Sequence, residues 1–242
     1  MTPTRPTSAV VVGASGGIGG ALIRALAARA AHAPIFALSR SGASVPQGVR
    51  TLPIDLSDEA TIAAAAARVG EAGPVGLVIV ATGLLHQTGV SPEKTVKALD
   101  PAAMATVFAI NTIGPALVAK HFVPLLARRE RCVFAALSAR VGSIGDNRLG
   151  GWYAYRASKS ALNQILRTLA IEVASSRPEA IVVGLHPGTV TSGLSRPFRP
   201  DPTAIGVFSP EESAAHLLRV LDGLCSDDTG GVFAWDGSPI PA

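Results

Sequence analysis

Tyr155 and Lys159 stand four residues apart in a stretch of helical pattern, so their side chains share one face. The whole chain holds 2 tyrosines and four lysines, so this spacing is an uncommon coincidence. A free phenol titrates near ~10. A neighbouring ammonium favours the phenolate, so the pair is expected to act as an acid/base close to neutral pH. Lowering the phenol by about two to three units calls for roughly 3–4 kcal/mol of differential stabilisation, within reach of a partly buried cation. Ser138 closes the apolar run RCVFAALS at 131–138. That places it at the carboxyl edge of a strand, where its hydroxyl is expected to donate to a substrate carbonyl oxygen.

A second cluster suits an anion. The run SAVVVG at 8–13 ends in Gly13-Ala14-Ser15-Gly16-Gly17-Ile18-Gly19, and a helical pattern follows. Glycines let the backbone turn tightly and approach a pyrophosphate, while the new helix offers free N–H groups and a positive dipole end. The spacing is GxxxGxG, and no GK[ST] follows to make a P-loop. After the next strand pattern come Ser39-Arg40-Ser41, where an acidic residue would bind the ribose 2′-hydroxyl of NAD. A guanidinium between hydroxyls suits a 2′-phosphate, so NADP(H) is expected over NAD(H). Asp55-Leu56, closing the third strand pattern, is expected to cap the following helix, to hold the adenine edge, or both.

These residues need a scaffold. Apolar runs recur at 8–13, 34–39, 49–55, 74–82, 131–138, 180–188 and 230–235. They read as continuously apolar, which means strands covered on both faces, as in a parallel sheet. Helical patterns at 17–31, 58–70, 101–128, 152–176 and 210–222 alternate with them. The expected fold is a single-domain α/β Rossmann fold over 1–242, a doubly wound parallel sheet of about seven strands with helices on both faces. Pro115 and Pro124 conflict with one straight helix over 101–128, so a bend is expected near Asn111–Pro115 and an end or kink near Pro124.

Composition narrows the function. At 242 residues, 48% hydrophobic and 16% charged, the chain can bury a full core and is no disordered tail. Net charge is +4, but the basic residues are scattered and aromatics are 5%, which argues against a nucleic-acid groove. No run of 18 uninterrupted apolar residues suggests a membrane span, and the first residues do not read as a signal peptide, so a cytoplasmic protein is expected. Two cysteines and unclustered histidines give no metal-ligand spacing.

Taken together, GASGGIG at 13–19, Asp55, Asn111, Ser138, Tyr155-Arg-Ala-Ser-Lys159 and Pro187-Gly188-Thr189-Val190-Thr191 resemble the short-chain dehydrogenase/reductases across nearly the whole chain. ATGLLH, INTIGPALVAKHF and the ending FAWDGSPIPA look like the subgroup related to the cell–cell signalling protein C-factor. The resemblance implies a hydride transfer between a nicotinamide and a carbonyl or alcohol, with Tyr155 as general acid/base. Lys159 would hold the nicotinamide ribose, Ser138 would polarise the carbonyl, and Asn111 would hold a water in a proton relay. Ala81, Thr82 and Gly83 would lie along the cofactor, and Pro187, Gly188, Thr189 and Thr191 would meet its nicotinamide end and pyrophosphate. It also implies a homodimer or homotetramer built on the helices at 101–128 and 152–176. The C-factor likeness keeps a cofactor-binding signalling or scaffold role as the alternative. Three departures stand out. Val80 and Ala81 replace the family's paired asparagines. Ser138 and Tyr155 are 17 apart, so the loop 139–151 is expected to extend over the pocket. The short segment 192–209, with Arg196 and Arg199, is expected to be a substrate lid.

Overall fold

A computed structural model describes residues 7–29, 32–191 and 207–242. Seven parallel strands form the central sheet: β1 (Ser8–Val12), β2 (Ile35–Ser39), β3 (Arg50–Pro53), β4 (Val75–Val80), β5 (Cys132–Leu137), β6 (Ala180–His186) and, last in the chain, Val232–Ala234. Two short strands, β7 (Thr189–Val190) and β8 (Val207–Phe208), pair in parallel beside it, which makes the last strand β9. The sheet order is β3-β2-β1-β4-β5-β6-β9. The order reverses between β1 and β4, so their carboxyl ends diverge and leave a crevice.

The helices α1 (Gly17–Arg29), α2 (Glu59–Gly70), α3 (Pro101–Phe108), α4 (Gly114–Phe122), α5 (Tyr153–Ala174) and α6 (Pro210–Gly223) cover the two faces. Alternate strand residues divide the core between them. Val10, Phe36, Val78 and Phe134 pack towards α2, α4 and α5, while Val11, Ala37, Ile79 and Val183 pack towards α1 and α6. Central strands buried on both faces explain the continuous apolar runs. β3 departs from that expectation. It is an edge strand whose residues are mostly exposed, because only one neighbour and one flanking helix reach it. The last two residues of the expected helix 17–31 fall outside the described residues.

Between α3 and α4 the chain makes a π turn at Ala109–Ile113, where Gly114 N–H reaches the Ala109 carbonyl. This is the expected bend. Pro115 has no N–H to continue a regular ladder, and a widened turn accommodates it. A 3₁₀ turn at Val123–Leu125 ends the run at Pro124. By length and composition the stretch Pro101–Leu125, which holds an 18-residue window of mean hydropathy 1.7, is apolar enough to cross a membrane. In this fold its apolar residues Val118 and Phe122 are fully buried against the sheet and α2.

Candidate active site

The glycine turn adopts the tight geometry that its spacing requires. Gly13 adopts φ +91, and a Cβ there would sit 2.9 Å from the Ala81 carbonyl oxygen. Gly16 N–H donates to the Gly13 carbonyl at 3.0 Å, and α1 then opens at Gly17. A Cβ on Gly19 would collide with the same carbonyl oxygen, so helix and strand can approach this closely only through glycine. No acidic residue stands in the first turn of α1, so its positive dipole end faces the crevice unopposed.

Two cavities meet here. One of about 270 Å³ is lined by Gly13, Ser15, Gly16, Ser39, Arg40, Asp55 and Leu56. The other, about 570 Å³, is lined by Gly17, Ile18, Ser138, Tyr155, Lys159 and Pro187-Gly188-Thr189. Gly16, Ala81, Thr82 and Gly83 border both, so the two are ends of one cleft. Thr82 Oγ1, at that junction, is buried without a hydrogen-bond partner among the described residues. The cleft is long, glycine-cradled and lined with an unmatched polar atom, and these residues fit a dinucleotide. Val80 and Ala81 lack the family's amides, but Ala81 N–H still bonds the Val12 carbonyl at 2.8 Å, so the main chain alone joins β1 to the exit of β4.

Some expected roles are redistributed. Asp55 does not cap α2. Its carboxylate accepts from Ser57 N–H and Oγ at 2.9 and 2.6 Å, which holds it below the usual carboxylate range. Asp58 is the cap, accepting from Ala60 N–H, because it stands one residue before the first helical turn. Thr191 turns its hydroxyl to the Phe208 carbonyl at 3.2 Å, and it is not among the residues lining the cleft. Most of the expected lid, 192–206, lies outside the described residues, including Arg196 and Arg199. Its end is strand β8 and the α6 cap Ser209 rather than loop.

At the wide end, Tyr155 and Lys159 project from one face of α5, as their spacing demands. Both are nearly out of water. The expected lowering of the phenol is overturned: burial pushes Tyr155 up to about 12 and Lys159 down to about 7. Lys159 Nζ lies 5.9 Å from the ring centroid and donates to the Leu137 carbonyl at 2.7 Å, and the burial that lowers the amine also removes most of the pull a cation would exert on the phenol. A protonated phenol is an acid, which suits delivery of a proton to a carbonyl oxygen. Ser138 is buried at the end of β5, and its hydroxyl donates to Asn163 Oδ1 at 2.6 Å. Asn111, in the π turn, spends its amide on the chain leaving β4. Oδ1 accepts from Leu84 N–H at 2.7 Å, while Nδ2 donates to the Leu84 carbonyl at 2.8 Å and to Ser158 Oγ at 3.1 Å. A water held by Asn111 has only the remaining Oδ1 lone pair or the main chain to bind.

The expected loop 139–151 meets the cleft only at its start, where Ala139, Arg140 and Val141 line it, with Trp152 beyond its end. Arg140 pairs with Asp146 at 2.9 Å, and Arg156 ties the loop to α5 through the Gly150 and Gly151 carbonyls. Sequence reasoning missed three residues. His186 lines the cleft just before Pro187, its Nδ1 buried without a partner among the described residues, and burial pushes it down to about 4. Its position beside the Pro-Gly pair was the available signal. Glu93 is buried and accepts from Ala154 N–H at 3.1 Å, capping α5 where Trp152, at φ 52, supplies no side-chain cap. No local pattern announces a cap from 61 residues away. Asn163, four after Lys159, carried the same helical-face signal as the pair itself.

A proton-donating phenol at one end of a dinucleotide-sized cleft, at the switch point of a parallel sheet, defines a nicotinamide-dependent oxidoreductase. The sequence comparisons agree. A family model for short chain dehydrogenase matches residues 7–203, and the chain belongs to that family. It is 30% identical over 233 residues to 1-hydroxy-2-glutathionyl-2-methyl-3-butene dehydrogenase of Rhodococcus sp. (strain AD45), covering 96% of this chain and 98% of that one. It is 36% identical over 144 residues to the C-signal of Myxococcus xanthus, covering 59% of this chain and 81% of that protein. Among solved structures, an NADPH-bound carbonyl reductase from chicken fatty liver superposes with a TM-score of 0.85 at 25% identity, covering 98% of this chain and 95% of the other.

Proposed function

We propose that the protein is an NADPH-dependent reductase of small carbonyl compounds. The observation that carries this is the cleft's polarity: Arg40 and Ser39 stand at its adenosine end, and the protonated Tyr155 with Lys159 and Ser138 at the other. When bound, the nicotinamide supplies the hydride. Gly13 to Gly19 and the α1 N-terminus hold the pyrophosphate, and Arg40 pairs with a 2′-phosphate. Ser138 orients the carbonyl oxygen and Tyr155 gives it a proton. Lys159 stands beside Tyr155 to hold the nicotinamide ribose. The likeness to an NADPH-bound carbonyl reductase supports the same reading. A cofactor-binding scaffold has no need of a buried phenol beside a buried amine, which favours the enzyme over a C-signal-like binding role.

The substrate end is bordered by Leu85, Val141 and Trp152, so the carbonyl compound carries apolar substituents. Exposed Ile113, Tyr153 and Ile171, on the π turn and α5, support a homodimer or homotetramer through those helices. Both cysteines are free, which fits the cytoplasmic setting in which we place the protein. The test is NADPH consumption against a panel of aldehydes and ketones, with Tyr155→Phe in parallel. Turnover lost in the variant is expected; equal turnover in both would overturn the reading. Sedimentation as a monomer at micromolar concentration would overturn the oligomer.

A further inference from the structure

Ser138 is one of the most constrained side chains of the cleft. Its main chain is locked into the sheet, where Ser138 N–H donates to the Leu185 carbonyl at 2.8 Å. Its side chain is 3% exposed, so the hydroxyl needs a partner inside the protein. That partner is Asn163 Oδ1 at 2.6 Å. Asn163 is half-buried on α5, and Tyr155, Lys159 and Asn163 recur every four residues down one face. One helix face thus carries the phenol, the lysine and the residue that holds the serine.

We propose that Asn163 is a positioning residue for the reduction, acting through Ser138; this rests on the carbonyl-reductase reading above. A serine hydroxyl has one proton and two lone pairs. Bonding to Oδ1 fixes the rotamer and keeps Oγ at the cleft wall. When a carbonyl oxygen is bound, rotation about Cβ–Oγ moves the proton from Asn163 to the substrate without moving Oγ. Asn163 therefore sets where the serine oxygen stands before the carbonyl arrives, and the substrate then takes over the hydroxyl proton. No bond other than hydrogen bonds changes at Asn163.

The expected effect is the loss of one net hydrogen bond's worth of positioning. Asn163→Ala lowers kcat for carbonyl reduction by roughly 10-fold, with KM for NADPH unchanged. Asn163→Asp keeps an acceptor at the same place and stays within about 3-fold of the parent. The deciding experiment is a double-mutant cycle on the full-length enzyme, with NADPH binding and melting temperature recorded for every variant. In the Ser138→Ala background, Asn163→Ala is expected to change turnover by less than about 2-fold. A loss of the same size in both backgrounds would show that Asn163 only supports packing and would overturn the proposal. If Ser138→Ala leaves too little turnover to measure, the Asp variant decides: activity as low as that of Asn163→Ala overturns it. A parent enzyme with no Tyr155-dependent turnover would sink the carbonyl-reductase reading instead, so the two failures are distinct.

Discussion

Lys159 makes the stability of the nucleotide-free protein depend on pH in a direction that can be worked out. The side chain is 2% exposed, and burial brings it from the ordinary 10.5 down to about 7. Between those values the unfolded chain holds the proton and the folded one does not. Unfolding then binds a proton, so stability rises with pH across the window and is lost again as pH falls towards 7. One proton changes stability by about 1.4 kcal/mol per pH unit, so pH 7 to 9 should add about 2–3 kcal/mol. Other perturbed groups act elsewhere. Tyr155, raised to about 12, and Cys132, raised to about 11, destabilise only above their ordinary values of 10.0 and 9.0. His186, lowered to about 4, acts below 6.5. Urea unfolding at pH 7, 8 and 9 should show the midpoint rising by roughly 1 M in total, given a slope of ~2–3 kcal/mol/M. Lys159→Met fills a similar volume without the charge, and its midpoint should stay flat. Parallel pH profiles for the two proteins would refute the reasoning.

Arg40→Asp should weaken NADPH by roughly 10- to 100-fold, the value of a charge-assisted contact, and NADH far less; equal losses would remove the 2′-phosphate assignment. Tyr155 should stay a phenol well past the ordinary range. In a Tyr153→Phe background, absorbance at 295 nm should show no phenolate until about pH 11, and an early titration near neutral pH would contradict the burial argument. Gly19→Ala should lose NADPH binding and at least about 1–3 kcal/mol of stability, because its Cβ meets the Gly13 carbonyl. Unchanged affinity and urea midpoint would show that the turn can open.

Much of the architecture is legible in the order of residues. Central strands such as Val75–Val80 sit between two helical layers, so both faces are apolar and the run itself announces a buried parallel strand. The bend at Asn111–Pro115 follows from a missing N–H, and the shared face of Tyr155 and Lys159 from the helical repeat. The edge strand Arg50–Pro53 is not legible as an edge, because a short apolar run does not tell which side lacks a neighbour. The strand pair of Thr189–Val190 and Val207–Phe208 is two residues long on each side, too short for a period to show.

What sequence alone determined here is therefore local. It set which residues turn, which share a helix face, and which types stand at strand ends. The tertiary structure decided who meets whom and at what dielectric. It gave the α2 cap to Asp58 instead of Asp55, sent Glu93 to cap α5 from a distant loop, and handed the Ser138 hydroxyl to Asn163. It also reversed the expected titration of Tyr155. Spacing brings a lysine near the phenol, but only packing says how much water both have lost, and burial raises the phenol while it lowers the amine 5.9 Å from its ring.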